Sequence, residues 1–131
     1  METFQVKTGS RNEFVEITSK VQEIVSRSGI GEGMVVVYVP HTTAGITINE
    51  AADPSVVEDI TAKLAHLVPH QGQYRHSEGN SDAHIKSSLV GSSAHLIISR
   101  GSLCLGAWQG IFFCEFDGPR TRKVHVQVVP G

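Results

Sequence analysis

Aromatic residues are scarce, cysteines number two, and no apolar run approaches the thickness of a bilayer. A 6% aromatic fraction argues against a platform on which bases stack. A net charge of −2 argues against a surface for nucleic acid or anionic lipid. Met34–Val39 is typical of the longest apolar runs, far short of the roughly 20 residues of a membrane-spanning helix. Met1-Glu2-Thr3-Phe4 lacks the basic and apolar regions of a signal peptide, so the cytoplasm is the expected location, with neither nucleic acid nor membrane as partner. In that reducing compartment Cys104 and Cys114 are expected as buried free thiols, a disulfide between paired strands being the alternative. Also missing are a P-loop, a dinucleotide-binding glycine motif, paired zinc-binding cysteines and a serine nucleophile elbow. Nucleotide-driven chemistry and triad hydrolysis therefore lack support.

What the sequence does have is seven histidines, a high count for 131 residues, and a length that fits one domain over residues 1–131. Phe4–Lys7 and Phe14–Ile17 alternate apolar and polar, and read as a hairpin or as two successive strands. Ser19 and Gln22 have capping-box spacing ahead of a Val21, Ile24, Val25 stripe that Gly29 closes. Met34–Val39 reads as a strand covered on both faces. Asp53-Pro54 starts a second helix, with Val57, Ile60, Leu64 and Leu67 as its stripe. His76–Val90 passes from a polar loop into a short helix, with Asp82 as N-cap, Ile85 and Leu89 as its apolar face and Gly91 as its stop. His95–Ile98, Leu103–Leu105, Ile111–Phe116 and Lys123–Val128 read as strands. The fold class is α+β: a mixed, mostly antiparallel sheet of about eight strands with two longer helices and one short one.

Candidate chemistry gathers around three histidines. His41 follows a proline at a strand end, His76 lies in the loop before the short helix, and His84 is in that helix's first turn. A catalytic zinc site needs about three protein ligands and an open position. These three rings supply them if the strand end faces the helix start; otherwise they are solvated loop histidines. A helix N-terminus favours neutral imidazole and also attracts phosphate. Asn49, Glu50 and Asp82 are candidates to orient the imidazoles, and Glu50 is also a candidate general base. Trp108 and Gln109, between Gly106 and Gly110, suggest a bulge that packs over a ligand or a subunit boundary, or else a core Trp. Arg120 and Arg122 stand two apart on one face, a spacing suited to gripping phosphate, with Lys86 as a further cation.

Together His41-Thr42-Thr43-Ala44-Gly45-Ile46-Thr47-Ile48-Asn49-Glu50, His76-x-Glu78-Gly79-Asn80-x-Asp82-Ala83-His84-Ile85-Lys86, Gly101-x-Leu103-x-Leu105-Gly106-x-Trp108-Gln109-Gly110-Ile111 and Gly118-Pro119-Arg120 closely resemble the YjbQ family, in order and over essentially the whole chain. The resemblance implies a YjbQ-like α+β domain, a homotrimer, and a histidine-lined metal site near subunit interfaces. It adds weight to His41, His76 and His84 as ligands. It also implies a weak thiamine-phosphate synthase activity, a transfer that joins a pyrimidine methyl diphosphate to a thiazole phosphate and releases diphosphate. On that reading Arg120, Arg122 and the helix start neutralise the departing charge, Thr42, Thr43 and Gln109 orient substrate, and Trp108 stacks on a ring. Three imidazoles suit zinc, whereas a diphosphate substrate normally brings magnesium. The alternatives are a metal-dependent hydrolase or phosphatase acting on a small phosphorylated metabolite, and a module that binds an anionic metabolite without turning it over.

Overall fold

Alternation along the sequence becomes two sheets in a computed structural model that describes every residue from Met1 to Gly131. The elements run β1 (Glu2–Lys7), β2 (Glu13–Glu16), α1 (Thr18–Ser28), β3 (Gly33–Tyr38), β4 (Ala44–Glu50), α2 (Pro54–Leu67), α3 (Ser81–Val90), β5 (Ser93–Ser99), β6 (Ser102–Leu103), β7 (Gln109–Glu115) and β8 (Thr121–Pro130). The α+β class and the eight strands are as the sequence suggests. They divide into a five-stranded sheet A, ordered β1-β8-β3-β5-β6, and a three-stranded sheet B, ordered β2-β7-β4. Every pairing is antiparallel. β1 and β2 are successive strands but not a hairpin, because β1 pairs with β8 in sheet A and β2 with β7 in sheet B. No helix is long and apolar enough to cross a membrane.

The main core lies between the sheets and is shared with α1. Val35, Val37, Leu96, Ile98, Val124 and Val126 enter it from sheet A, Ile46, Ile111 and Phe113 from sheet B, and Val21, Ile24 and Val25 from α1. Sheet B buries its other face as well: Phe112, Cys114 and Phe116 pack with Ala83 of α3 and with Val57 and Leu64 of α2. This two-sided burial is why β7 reads as an unbroken apolar run. β3 reads the same way but is covered on one face only. Met34 and Tyr38 are exposed, since nothing packs on the outer side of sheet A there.

Two helix starts differ from the sequence reading. At α1 the capping box does not form, and the helix has no side-chain cap. The Gln22 amide donates instead to Ser26 and the Gly101 carbonyl and accepts from the Leu103 N–H, tying α1 to the β5–β6 turn. At α3 the cap position is Asn80, and Asp82 sits inside the first turn, fully buried. The amphipathicity of α3 is inverted: Asp82, Ala83, Lys86 and Ser87 face inward, while Ile85 and Leu89 are exposed. An internal ion-pair network holds the charged side in place. α2 starts as the sequence suggests, with Asp53 accepting from the Ser55 N–H at 3.0 Å and Pro54 in the first turn.

Candidate functional site

His41 is placed by the end of a ladder. β3 and β8 pair as far as Tyr38 opposite His125, and the same register sets Lys123 against Pro40, which ends the strand. The Lys123 N–H lies just past the last pair and donates to His41 Nε2 at 2.9 Å. Burial and the nearby Arg122 guanidinium hold the His41 pKa below the ordinary histidine value.

α3 brings His84 to the same place. The helix rests on β4 where Gly45 has no side chain; a Cβ there would stand 2.7 Å from the Gly91 carbonyl oxygen. That carbonyl accepts from the Ile46 N–H at 3.0 Å. The His84 N–H and the Ala83 N–H both turn back to the Asn80 carbonyl, winding the first turn. The loop before it is tied down by His70 donating to the Gly79 carbonyl and Tyr74 donating to the Pro69 carbonyl. His76 thereby meets His84 edge to face, with ring centroids 5.4 Å apart.

Three recesses meet at His84. The most polar, of about 450 Å³, is walled by His41, Thr42, His76, Glu78, Asn80, His84, Asp117, Arg120 and Arg122, with no apolar side chain besides Pro40. A second, of about 410 Å³, shares His41, Thr42 and His84 and adds Ser87, Ser88 and Ser92. A third, of about 400 Å³, lies across His76 and His84 and holds Tyr74, Arg75 and Ile85.

The cations of the polar recess differ in freedom. Arg122 is buried and its fork is engaged: Nε donates to Glu115 Oε1 at 2.9 Å, and Nη2 donates to Glu115 Oε2 and to the Thr43 hydroxyl. Arg122 and Thr43 therefore brace the wall of the recess that they also line, with Arg122 Nη1 outside these bonds. Burial alone would raise the Glu115 carboxyl, but bonds from Arg122, the Asp117 N–H and Thr8 outweigh it and hold the pKa low. Lys86 is unavailable to the recess, since its ammonium is buried against Asp82 and Asn12. Arg120 is the open one. Its Nε donates to the Asp117 carbonyl at 2.8 Å and its Nη2 to Asp117 Oδ2 at 3.1 Å, yet half of the side chain faces solvent. Asp117 is steadied in turn by Asn80 and Arg11, and although burial opposes it, its pKa is held below the ordinary value. The Asn80 Oδ1 oxygen is buried without a partner.

The remaining expected site residues lie elsewhere. β4 carries the chain away from Thr43, so that Glu50, seven residues on, is roughly 20 Å distant at the strand rise. Glu50 pairs with Gln109 at the far end of the β4–β7 ladder. There Glu50 accepts from the Ala52 N–H, Asn49 from the Glu50 N–H and Gln109 from the Gly106 N–H. Trp108 is exposed in the turn before β7, neither a core residue nor a wall of the recesses. Within one chain, then, Asn49, Glu50, Trp108 and Gln109 do not reach the histidines.

The fit of a metal can be judged from the donors. No three of the His, Cys, Asp and Glu side chains converge as ligands. His76 and His84 approach each other, but His41 Nε2 already accepts a backbone N–H. The residues of one chain do not make the three-ligand centre expected of zinc. Cys114 is buried and its thiol pushed far up by desolvation, while Cys104 is exposed, and the two are unlinked.

Sequence reasoning passed over Arg11, Glu115 and Asp117, which brace the wall. The available signal was Glu115 itself, a carboxylate inside the apolar run Ile111–Phe116. A charge in such a run requires a buried partner.

The family model described as "UPF0047 protein YjbQ-like" matches residues 2–131. UPF0047 protein MJ1081 of Methanocaldococcus jannaschii is 56% identical over 126 residues, covering 96% of this chain and 91% of that protein. UPF0047 protein YugU of Bacillus subtilis is 48% identical over 130 residues, covering 98% of each. A crystal structure of a YjbQ/UPF0047-family protein from Clostridium acetobutylicum superposes with a TM-score of 0.97 at 53% identity, covering 98% of this chain and 100% of that one. The conserved hypothetical protein TT1486 of Thermus thermophilus superposes with a TM-score of 0.92 at 45% identity, covering 98% and 100%.

Proposed function

The chain belongs to the YjbQ-like UPF0047 family, and from that premise we propose that its polar recess binds the phosphate or diphosphate of a small metabolite and supports a transfer in which diphosphate departs. The specific reaction is the thiamine-phosphate synthesis that the family resemblance implies, a pyrimidine methyl diphosphate joining a thiazole phosphate. The observation that carries this reading is the recess of about 450 Å³ in which His41, His76, His84 and Arg120 face one space without an apolar neighbour besides Pro40. Departure of diphosphate from an activated methyl group needs charge neutralisation more than it needs a nucleophile or a base. The absence of Glu50 from the recess therefore leaves this reading intact. It weakens the hydrolase alternative, which needs a base for water: Asp117 is taken up by Asn80, Arg11 and Arg120, and Glu78 is exposed.

In this reading Arg120, steered by Asp117, takes the outer phosphate oxygens, and Arg122 adds positive field from behind the wall. The heterocycle goes to the recess holding Tyr74 and Ile85, the neighbouring space that offers an aromatic ring, instead of to Trp108. Magnesium arriving with a diphosphate is held chiefly by the substrate's own oxygens and water, and no step is assigned to a protein-bound ion. The proposal includes the homotrimer. Met34 lies between Ile97 and Val129 across three strands on the open face of sheet A, all three exposed, and this is apolar surface that an assembly would cover. A native mass checks that part.

The functional test is growth rescue of a host lacking thiamine-phosphate synthase, paired with calorimetric binding of inorganic diphosphate. Rescue by the wild type and its loss in Arg120→Ala support the transfer. Diphosphate binding without rescue assigns the protein to the binding-module class, and absence of binding removes the reading altogether.

A further inference from the structure

We infer that His41 is a fixed Nδ1–H donor on the wall of the polar recess and not a member of any metal centre. The inference rests on the proposed use of that recess for an anion. It starts from the ladder end. Pro40 stops β3, so no strand residue accepts the Lys123 N–H, and the His41 ring takes that place through Nε2 at 2.9 Å. A neutral imidazole carries one N–H and one lone pair. With the Nε2 lone pair directed at a backbone N–H, the proton is on Nδ1. A metal requires a bare nitrogen lone pair, so in this state His41 offers a cation nothing.

What it offers instead is an N–H on the common wall of two recesses, beside Thr42 and His84. No acceptor within the chain takes that N–H. His76 and His84 are different: neither ring is hydrogen-bonded to the backbone, and His76 has only a carboxylate oxygen of Glu78 at 3.8 Å. The three histidines therefore divide by role. Two have no backbone partner to choose a tautomer for them, and one is set by the sheet as a donor to an oxygen of the bound anion. Together with Arg120, set by Asp117, it gives the recess two oriented donors at the one end of the β3–β8 ladder where β3 stops and β8 begins. Burial and Arg122, which together lower the His41 pKa, keep the ring in the neutral form that the geometry describes.

The test reads the tautomer directly, in isotope-labelled wild-type protein at neutral pH. Long-range proton–nitrogen correlations of the His41 ring are assigned through its backbone, so that no variant has to fold. The expected spectrum shows a protonated Nδ1 and a bare Nε2. Stoichiometric zinc leaves both unmoved, and inorganic diphosphate shifts Nδ1. An Nε2–H tautomer, or a zinc-induced shift of either His41 nitrogen, overturns the inference. If the tautomer is as stated and zinc leaves it alone, but calorimetry shows no diphosphate binding, the histidine assignment stands and the phosphate reading falls. As a second arm, His41→Gln is expected to weaken diphosphate affinity roughly tenfold or more, with zinc uptake equal to wild type. Reduced zinc uptake in that variant also overturns it.

Discussion

The two ends of the β4–β7 pair hold the same kinds of side chain and use them in opposite ways. At the Ala44–Glu115 end, Glu115, Arg122 and Thr43 are buried and bond to one another between elements, with Thr8 joining them from 107 residues away. At the Glu50–Gln109 end, Glu50, Asn49 and Gln109 accept from backbone N–H groups one to three residues away. A carboxylate or amide that closes its own turn is serving local chain geometry. One that is buried between elements has its charge state set by the fold, as the low pKa of Glu115 shows. The motif running from His41 to Glu50 suggests one site, but a strand spreads it over two.

The largest effect that would sharpen this contrast is on stability. Removing one partner of a buried ion pair leaves the other charged and unpaired, which costs about 3–5 kcal/mol. Glu115→Ala and Arg122→Ala are each expected to lose that much in chemical denaturation. The double variant Glu115→Met with Arg122→Leu should recover a large part of it, because no orphaned charge remains. Glu50→Gln, at the other end, is expected to stay within about 0.5 kcal/mol of wild type. A loss below about 1 kcal/mol for Glu115→Ala would erase the distinction between the ends.

Binding provides the next test. Arg120→Ala removes a charge-assisted contact and is expected to reduce affinity for inorganic diphosphate roughly tenfold or more, read by calorimetry with unfolding checked separately. Trp108→Ala and Gln109→Ala are expected to bind as wild type does, because their turn stands at the remote end of β7. Weakened binding in either variant would mean that the far end of one copy reaches the recess of another, and the comparison between ends would have to be redrawn across molecules.

Much of the fold was legible because periodicity reports burial directly. The α2 start at Asp53-Pro54, the run of β7 and the alternation of β8 all follow from it. What stayed hidden was relation between elements. Nothing in Phe4–Lys7 and Phe14–Ile17 says that they belong to different sheets, since pairing partners lie more than 90 residues away. α3 misled because its buried side is ionic: Asp82 and Lys86 look like a solvated pair, and Ile85 and Leu89 like a core stripe, until Arg11 and Asn12 are seen against them. In the site, the approach of His76 to His84 and the position of His41 near the helix follow from loop and strand signals that could be read. The Lys123 bond that fixes His41 could not, because it depends on where the β3–β8 register happens to stop.

The smallest expected effect concerns pH, and it separates the two ends without relying on any ligand. Glu115 and Asp117 have folded pKa values below their ordinary ones. Their stabilisation is complete above the ordinary carboxylate range and is lost as pH falls through the folded values, where the native carboxylates must at last take up protons. His41 is also lowered, from an ordinary value of 6.5, but for a histidine this means that the unfolded chain gains a proton before the native one does. Stability therefore begins to decline at about pH 6.5 and keeps falling until the folded His41 itself protonates. The ring is only partly buried, so this upper step is shallow beside the carboxylate step. Denaturation midpoints measured from neutral pH downward should show both declines in the wild type. His41→Gln should flatten the upper one and keep the lower, while Glu50→Gln should change neither. If the upper decline survives in His41→Gln, another histidine is responsible for it, and the ring at the end of the ladder is not held neutral by its surroundings.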